Sequence, residues 1–141
     1  MSDDPSRFLQ AQAPHVDAVM AELAAGRKRT HWMWFMFPQL RGLGRSEMAR
    51  HFGLQSLEEA TAYLAHPLLG GRLRDGVAAV LAVPNRSAYE IFGSPDDLKL
   101  RSCLTLFREI DGTQGVFARA LVKYFAGQPD PLTLQLLSAP R

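Results

Sequence analysis

The sequence predicts an all-α protein that folds as a single compact domain. Capping residues and prolines recur where helices would begin, and apolar residues recur every three or four positions, as on one face of a helix. No stretch of residues alternates between polar and apolar positions as a half-buried strand does. We therefore expect about seven to nine helices, several of them short. One domain should span residues 1–141, with an ordered core over residues 5–137.

Polar residues followed by proline mark several of the expected helix starts, because proline suits the first helical position and the polar residue caps free amides. These pairs are Asp4–Pro5, His66–Pro67, Ser94–Pro95 and Asp130–Pro131, with histidine the poorest cap. Other expected caps are the boxes Ser56–Glu59 and Ser87–Glu90, and Thr113 before a helix that stops at Gly127. The expected helices span residues 5–12, 14–25, 31–37, 46–51, 56–65, 67–83, 87–92, 95–110, 114–126 and 131–137.

The helix expected over residues 95–110 has one apolar face. Its core residues share one arc at about 100° per residue; they are Leu100, Cys103, Leu104, Phe107 and Ile110. Cys103 is expected to be an inert buried thiol. The opposite arc is expected in solvent; it holds Asp97, Arg101 and Arg108. The last four residues of the chain are expected to fray.

Composition excludes several classes of protein. The net charge is only +2, and a single cysteine, Cys103, rules out an internal disulfide. The longest apolar run, Trp32–Phe37, is far too short to span a membrane, and the N-terminus shows no signal region. We therefore expect a cytoplasmic protein with no membrane partner.

The segment over residues 26–44 is the first candidate for a binding surface. Three cations lead into a run that contains both tryptophans, and aromatic faces beside positive charge suit a planar, anionic ligand such as a nucleotide. Trp32 or Trp34 would stack the base. Arg29, His31 or Arg45 would contact its phosphate. The same pattern also fits a core segment with a solvated basic flank, and the local excess of cations leaves nucleic acid open as a partner.

Asp96 and Lys99 form the second candidate site. They are three residues apart on the expected helix, so their side chains are neighbours, and both fall within or beside its apolar arc, with Ser102 at the edge. One interpretation is an ion pair that holds a neighbouring segment. The other is a polar cluster on the floor of a ligand cleft, where desolvation strengthens each charge.

The remaining candidate motifs do not match known patterns for metal binding, cofactor binding or nucleophilic catalysis. The four histidines have no metal-binding spacing, so no metal site is expected. Gly42 and Gly44 form no phosphate-binding or dinucleotide fingerprint, and no cofactor is implied. Ser46 lacks the surroundings of a nucleophile elbow, and it stays a ligand-binding candidate beside Arg45.

Three long segments resemble a bacterial family catalogued as number 1810 among the domains of unknown function. They read GRKRTHWMWFMFPQLRGLGRS, SLEEATAYLAHPLLGGRL and IFGSPDDLKLRS. The resemblance runs from Phe8 to Leu136 and implies a small helical protein. Some members carry the label calpastatin, but a calpastatin inhibitor is disordered and this composition is that of a folded domain. Within the family, Phe52 stands where tyrosine is usual, and Cys103–Leu104 replaces a usual serine–methionine pair.

A more distant resemblance connects the chain with the YbiA-like NADAR proteins. The shared order is an aromatic–proline segment, a capped helix and a later helix with an Asp-x-x-Lys pattern. This resemblance implies ADP-ribose or NAD chemistry and cleavage of an N-glycosidic bond. Lys99 and Phe107 would match the lysine and phenylalanine of the late helix, and Glu58 or Glu59 would stand near the motif glutamate. The compact serine–glutamate–histidine–tyrosine pattern of those proteins is missing.

Two functions follow as alternatives. The first is an enzyme or binding domain for a nucleotide-linked ribose such as ADP-ribose, with Asp96 and Lys99 as the catalytic pair. Its expected ligand-binding residues are Arg29, His31, Trp32, Trp34, Arg45, Ser46 and Ser102. The second is a non-enzymatic helical scaffold or protein-interaction module, in which the same residues hold helices together. The oligomeric state stays open.

Overall fold

A computed structural model describes residues 4–138, which form ten helices and no strand. The helices are α1 (Ser6–Gln12), α2 (Val16–Ala24), α3 (Met33–Met36), α4 (Glu47–Phe52), α5 (Leu57–Ala65), α6 (Pro67–Ala82), α7 (Ala88–Phe92), α8 (Asp96–Asp111), α9 (Val116–Phe125) and α10 (Pro131–Ser138). An isolated parallel bridge joins Leu40 to Leu54. The all-α prediction is confirmed. Each expected segment contains a helix, so the described count exceeds the expected seven to nine.

Most of the expected caps form. Ser87 and Glu90 make the full capping box of α7, and Asp130 Oδ2 accepts from the amide of Thr133 at the start of α10. His66 is a better cap than the sequence suggested, because its Nδ1 accepts from the amides of both Leu68 and Leu69. Such bonds satisfy amides that have no partner within the helix.

Two groups of caps differ from expectation. Thr113 does not cap α9, whose N-cap is Gly115, because residues 113–114 form the turn that follows α8. α1 and α8 begin one residue after their prolines, and neither N-cap makes a side-chain bond. At the C-terminal end, Ser138 belongs to α10. The other residues expected to fray, 139–141, lie outside the described range.

Helix α8 is central to the core. Leu100, Cys103, Leu104 and Phe107 are fully buried, as predicted. The Phe107 ring stacks on Phe117 of α9 with 5.5 Å between ring centres. Burial raises the pKa of the Cys103 thiol, which keeps that group protonated and inert.

The opposite face of α8 is less exposed than expected. Arg101 is half-buried because its guanidinium donates to two carbonyl oxygens of the link between α9 and α10, those of Gln128 at 2.9 Å and Pro129 at 2.8 Å. Asp97 and Arg108 are also half-buried. The prediction that this arc lies in solvent is therefore wrong.

The short helix α3 persists because its side chains are in the core. Met33, Phe35 and Met36 are buried, and α3 packs on α1, α4 and α6. A helix of this length has little stability of its own, so packing holds it. Within residues 4–138, no helix has the length and apolar character needed to cross a membrane.

Candidate functional site

Glu22 fixes the backbone that leads into α3. Its carboxylate accepts from the amides of Arg29 and Thr30, at 2.7 and 3.1 Å, from the Thr30 hydroxyl at 2.7 Å, and from Trp32 Nε1 at 2.9 Å. Burial tends to raise the pKa of Glu22, but these hydrogen bonds together outweigh it and lower the pKa to about 2. This role of Glu22 could not be predicted from the sequence, because the contact depends on how α2 packs beside the segment.

Trp32 is part of the core. The residue is 1% exposed, its ring centre lies 5.9 Å from that of Phe37, and its indole N–H is bonded to Glu22. A ring packed on both its edge and its faces has no surface left for a base to stack on. For Trp32 the core interpretation therefore holds, and the stacking interpretation is withdrawn.

Asp96 lies between two lysines. Its Oδ2 is 2.9 Å from Lys28 Nζ, and its Oδ1 is 3.6 Å from Lys99 Nζ. The Lys28 side chain is only 8% exposed, and its ammonium stands 5.1 Å from the ring centre of Trp32. Asp96 thus joins the start of α8 to the segment before α3. The sequence predicted the neighbour Lys99 but not the shorter contact with Lys28.

Asp96, the two lysines beside it and the two tryptophans form one cluster, which includes the contact between Lys99 and Trp34. The Lys99 ammonium lies 5.2 Å from the ring centre of Trp34, and the Lys99 side chain is 23% exposed. Trp34 is half-buried. Its indole Nε1 is buried without a hydrogen-bond partner among the described residues. Such a group costs free energy, so its presence calls for an explanation.

A cavity of about 480 Å³ opens beside Lys99. Its polar lining includes Gln39, Lys99, Arg101, Ser102 and Asp130, and its apolar lining includes Leu43, Pro95, Leu98 and Leu132. A smaller space of about 10 Å³ shares Gln39 and Lys99 with it and is also lined by Trp34. That space has room for about one water-sized group. Three of the predicted site residues therefore lie around these two spaces: Trp34 lines the smaller, Ser102 the larger and Lys99 both.

Asp130 is a carboxylate of this cavity that the sequence marked only as a helix cap. Its Oδ2 lies 3.2 Å from Ser102 Oγ and accepts from the amide and hydroxyl of Thr133 at 3.0 and 2.6 Å. Ser102 Oγ is also 3.2 Å from the Leu98 carbonyl oxygen. The proximity of Ser102 to Asp130 was not visible in the sequence, because 28 positions separate the two residues.

The other predicted residues are arranged differently. Arg29, His31 and Arg45 are exposed and do not line the cavity, although Gly44, next to Arg45, does. Ser46 caps α4 by accepting from the Ala49 amide at 3.1 Å, so its hydroxyl has a structural partner. Asp96 pairs with Lys99 but is likewise absent from the cavity lining.

The positions suggested by the YbiA-like resemblance have structural contacts of their own. Glu59 is buried and pairs with Arg7 of α1 at 3.0 Å, while its other oxygen accepts from the Gln55 amide at 2.7 Å. Phe107 is fully buried, and Glu58 is exposed. Within the described part of the chain, no three His, Cys, Asp or Glu side chains are grouped to hold a metal ion.

Fold and cavity define a small all-α domain with a mixed polar and apolar cavity against α8. The family model for "Protein of unknown function (DUF1810)" matches residues 2–137, and the chain belongs to this family. It is also similar to a conserved hypothetical protein, Rv1873 from Mycobacterium tuberculosis, whose crystal structure was determined at 1.38 Å. The identity is 53%, the TM-score 0.93, and the match covers 97% of this chain and 100% of the other.

The family predicted from the three long segments is thereby confirmed. Neither description mentions calpastatin or a YbiA-like protein. None of the curated proteins compared with the chain matches it.

Proposed function

We propose that this domain binds an anionic small molecule of the nucleotide-linked ribose class, such as ADP-ribose, in the cavity beside Lys99. One observation carries the proposal: a partly exposed ammonium stands over the Trp34 ring at the edge of a cavity of about 480 Å³. Binding cavities for small molecules have volumes of about 300–1,000 Å³ and combine apolar walls with a few placed polar groups. The cytoplasmic location expected from the sequence is part of this proposal.

Each polar group suits a part of such a ligand. Lys99 suits a phosphate oxygen, because Asp96 is held more closely by Lys28 and so neutralises Lys99 only in part. Ser102 and Asp130 suit ribose hydroxyls, which both donate and accept hydrogen bonds. A ligand oxygen in the small space near Trp34 would accept from its buried N–H.

Hydrolysis of an N-glycosidic bond is the activity that the YbiA-like resemblance implies. In this proposal Asp96 keeps Lys99 in place, and Asp130 is the carboxylate that faces the cavity. With NAD as the substrate, water would attack the anomeric carbon of the nicotinamide ribose and its proton would pass to Asp130. Nicotinamide would leave as a neutral molecule with the electron pair of the broken C–N bond. Release of nicotinamide from NAD, followed by chromatography, tests this step separately from binding.

Tryptophan fluorescence tests the binding proposal. ADP-ribose should quench emission saturably in the wild type and in Trp32→Phe, but not in Trp34→Phe, since only Trp34 lines the space that adjoins the cavity. It should also raise the melting temperature with ligand concentration. Lys99→Gln should weaken binding about tenfold or more, as loss of a charged hydrogen bond does.

The matched control is Arg119→Gln, an exposed cation of α9, which should leave binding unchanged. Arg45→Gln tests whether the residue after Gly44 contributes from the rim. If ADP-ribose, NAD, AMP and ribose 5-phosphate all leave fluorescence and melting temperature unaltered at millimolar concentration, the nucleotide proposal is wrong.

A protein-interaction module is the second candidate. Two apolar side chains that line the cavity, Leu98 and Leu132, are 55% and 59% exposed, which is typical of a surface that receives an apolar side chain of a partner. This alternative predicts no response to nucleotides. Reversible self-association that Leu98→Ser and Leu132→Ser abolish would favour it, and sedimentation velocity measures this.

A further inference from the structure

A second cavity, of about 350 Å³, lies where α1 and α4 meet the bridge between Leu40 and Leu54. Its lining holds three cations, Arg7, Arg41 and Arg50, together with the imidazole of His51 and the acidic residue Asp4. None of these residues lines the cavity beside Lys99. We call this second cavity the arginine pocket.

The Arg7 side chain and the backbone of Arg41 are held in place on one side of the arginine pocket. Arg7 donates from Nε to the His51 carbonyl oxygen and from Nη1 to that of Asp4, both at 2.8 Å, while its Nη2 pairs with Glu59 at 3.0 Å. The Arg41 amide donates to the Leu54 carbonyl oxygen at 2.7 Å. Gly53 allows this approach, because a Cβ there would lie 2.7 Å from the Arg41 Cα. The backbone that carries Arg41 is therefore fixed beside the end of α4.

The charge of the pocket is not balanced internally. Glu59 offsets Arg7. Asp4, whose Oδ1 accepts from the Ser6 amide at 2.9 Å, adds a second negative charge against the three arginines. Arg41 and Arg50 are exposed and make no ion pair with any residue in the range 4–138. Two guanidinium groups from different segments thus share one concave surface, which favours an anion.

Capping of α4 explains only part of this arrangement. Arg50 and His51 lie in its last turn, where positive charge is favourable beside the helix C-terminus. Arg41 lies outside α4, and the helix dipole does not account for its position at the same cavity. The presence of a guanidinium from the chain segment before Gly42 therefore points to a ligand.

We propose that the arginine pocket is an anion site for the phosphate group of a small phosphorylated metabolite, bound by Arg41 and Arg50. Guanidinium groups bind phosphate through paired N–H donors. Gln55 and His51 add donors at the rim. The volume of about 350 Å³ lies in the range of small-molecule sites. This site is independent of the one proposed beside Lys99.

Amide NMR spectra with inorganic phosphate and glycerol 3-phosphate test the proposal. Both probes should shift the amides of Arg41, Arg50 and Gly53 saturably, and binding should weaken with sodium chloride because the contacts are ionic. Arg41→Gln and Arg50→Gln should each weaken binding about tenfold without unfolding the protein, since both side chains are exposed. Arg119→Gln, an exposed cation outside both cavities, should leave the shifts of Arg41, Arg50 and Gly53 unchanged.

Three outcomes would overturn the proposal. The first is the absence of saturable shifts at millimolar phosphate. The second is equal affinity in the wild type and both arginine variants, which would mean adventitious ion binding. The third is binding of a short single-stranded oligonucleotide, lost in both variants, with no response to either small phosphate, which would assign the pocket to a nucleic acid.

Discussion

At the scale of single residues, Lys28 and Lys99 both contact Asp96 but differ in their surroundings. The Lys28 ammonium is nearly buried, 2.9 Å from Asp96, and lies over Trp32. The Lys99 ammonium is farther from Asp96, at 3.6 Å, and borders a cavity. Replacing Lys28 is therefore expected to change the free energy of unfolding more than replacing Lys99.

We predict that Lys28→Ala lowers the free energy of unfolding by about 3 kcal/mol, because it leaves Asp96 without its close partner in a largely buried place. Lys99→Ala should cost less than about 1 kcal/mol, since the Lys28 pair remains and the lost pair is partly solvated. Urea unfolding of the two variants and the wild type measures both values. Equal losses would show that Lys99 is a structural residue and would weaken the binding proposal.

The sequence predicted only the part of this cluster that lies within one helix. Asp96 and Lys99 were recognisable as neighbours because they are three positions apart on α8. Lys28 and Glu22 were not, because their contacts depend on the path of residues 26–32 across two helices. Trp34 and Ser102 were candidates for reasons of composition and spacing, but their common cavity follows from tertiary packing.

At the scale of helices, α6 packs its first turns closely against the end of α5. A Cβ on Gly70 would lie 2.0 Å from the Leu64 carbonyl oxygen, whereas a Cβ on Gly71 would meet nothing within 4 Å. The two glycines are adjacent in the same helix, so they separate the effect of close packing from the effect of helix propensity.

Gly70→Ala should destabilise the protein by about 1–3 kcal/mol, because the backbone of α5 must move to admit the methyl group. Gly71→Ala should stabilise it by about 0.5–1 kcal/mol, because alanine loses less backbone entropy in a helix. Differential scanning calorimetry of both variants and the wild type measures these two changes in stability. Changes of the same sign would mean that α5 and α6 do not meet as described.

Helices were the most predictable level of this structure. Proline, serine and aspartate caps place most helix starts within a residue or two, since capping depends on neighbours in sequence. The prediction that Thr113 caps α9 was wrong, because Thr113 belongs to the turn that follows α8. The prediction that Arg101 is exposed was wrong, because its partners are far away in the sequence. They are the carbonyl groups of Gln128 and Pro129, which Arg101 reaches only when α9 folds back on α8.

At the scale of the whole molecule, the candidate site is assembled from segments far apart in the sequence. Gln39 and Gly44 come from the α3–α4 link, Lys99 and Ser102 from α8, and Asp130 from the start of α10. The segment before α3 is positioned by Glu22 of α2. The ionisation of one carboxylate is thus expected to affect the stability of the core around Trp32.

The sign of this pH dependence follows from the lowered pKa of Glu22. The pKa falls from an ordinary 4.5 to about 2 in the folded protein, so folding favours the ionised carboxylate. Its contribution is complete above about pH 4.5 and is lost as the pH falls towards about 2. Allowing for solvent screening at a half-buried position, the contribution is about 1–2 kcal/mol.

Glu22→Gln isolates the effect of the charge, because the amide oxygen can still accept from Trp32 Nε1 and from the backbone. We predict that the wild type is more stable than Glu22→Gln near neutral pH, and that the difference shrinks steadily in acid. Urea unfolding followed by tryptophan emission, at pH values from about 6 to about 2.5, measures it. Asp75→Asn, an exposed change on α6, serves as the control for a general loss of charge. A difference between wild type and Glu22→Gln that stays constant over this range would show that the carboxylate is not the anchor of the segment before α3.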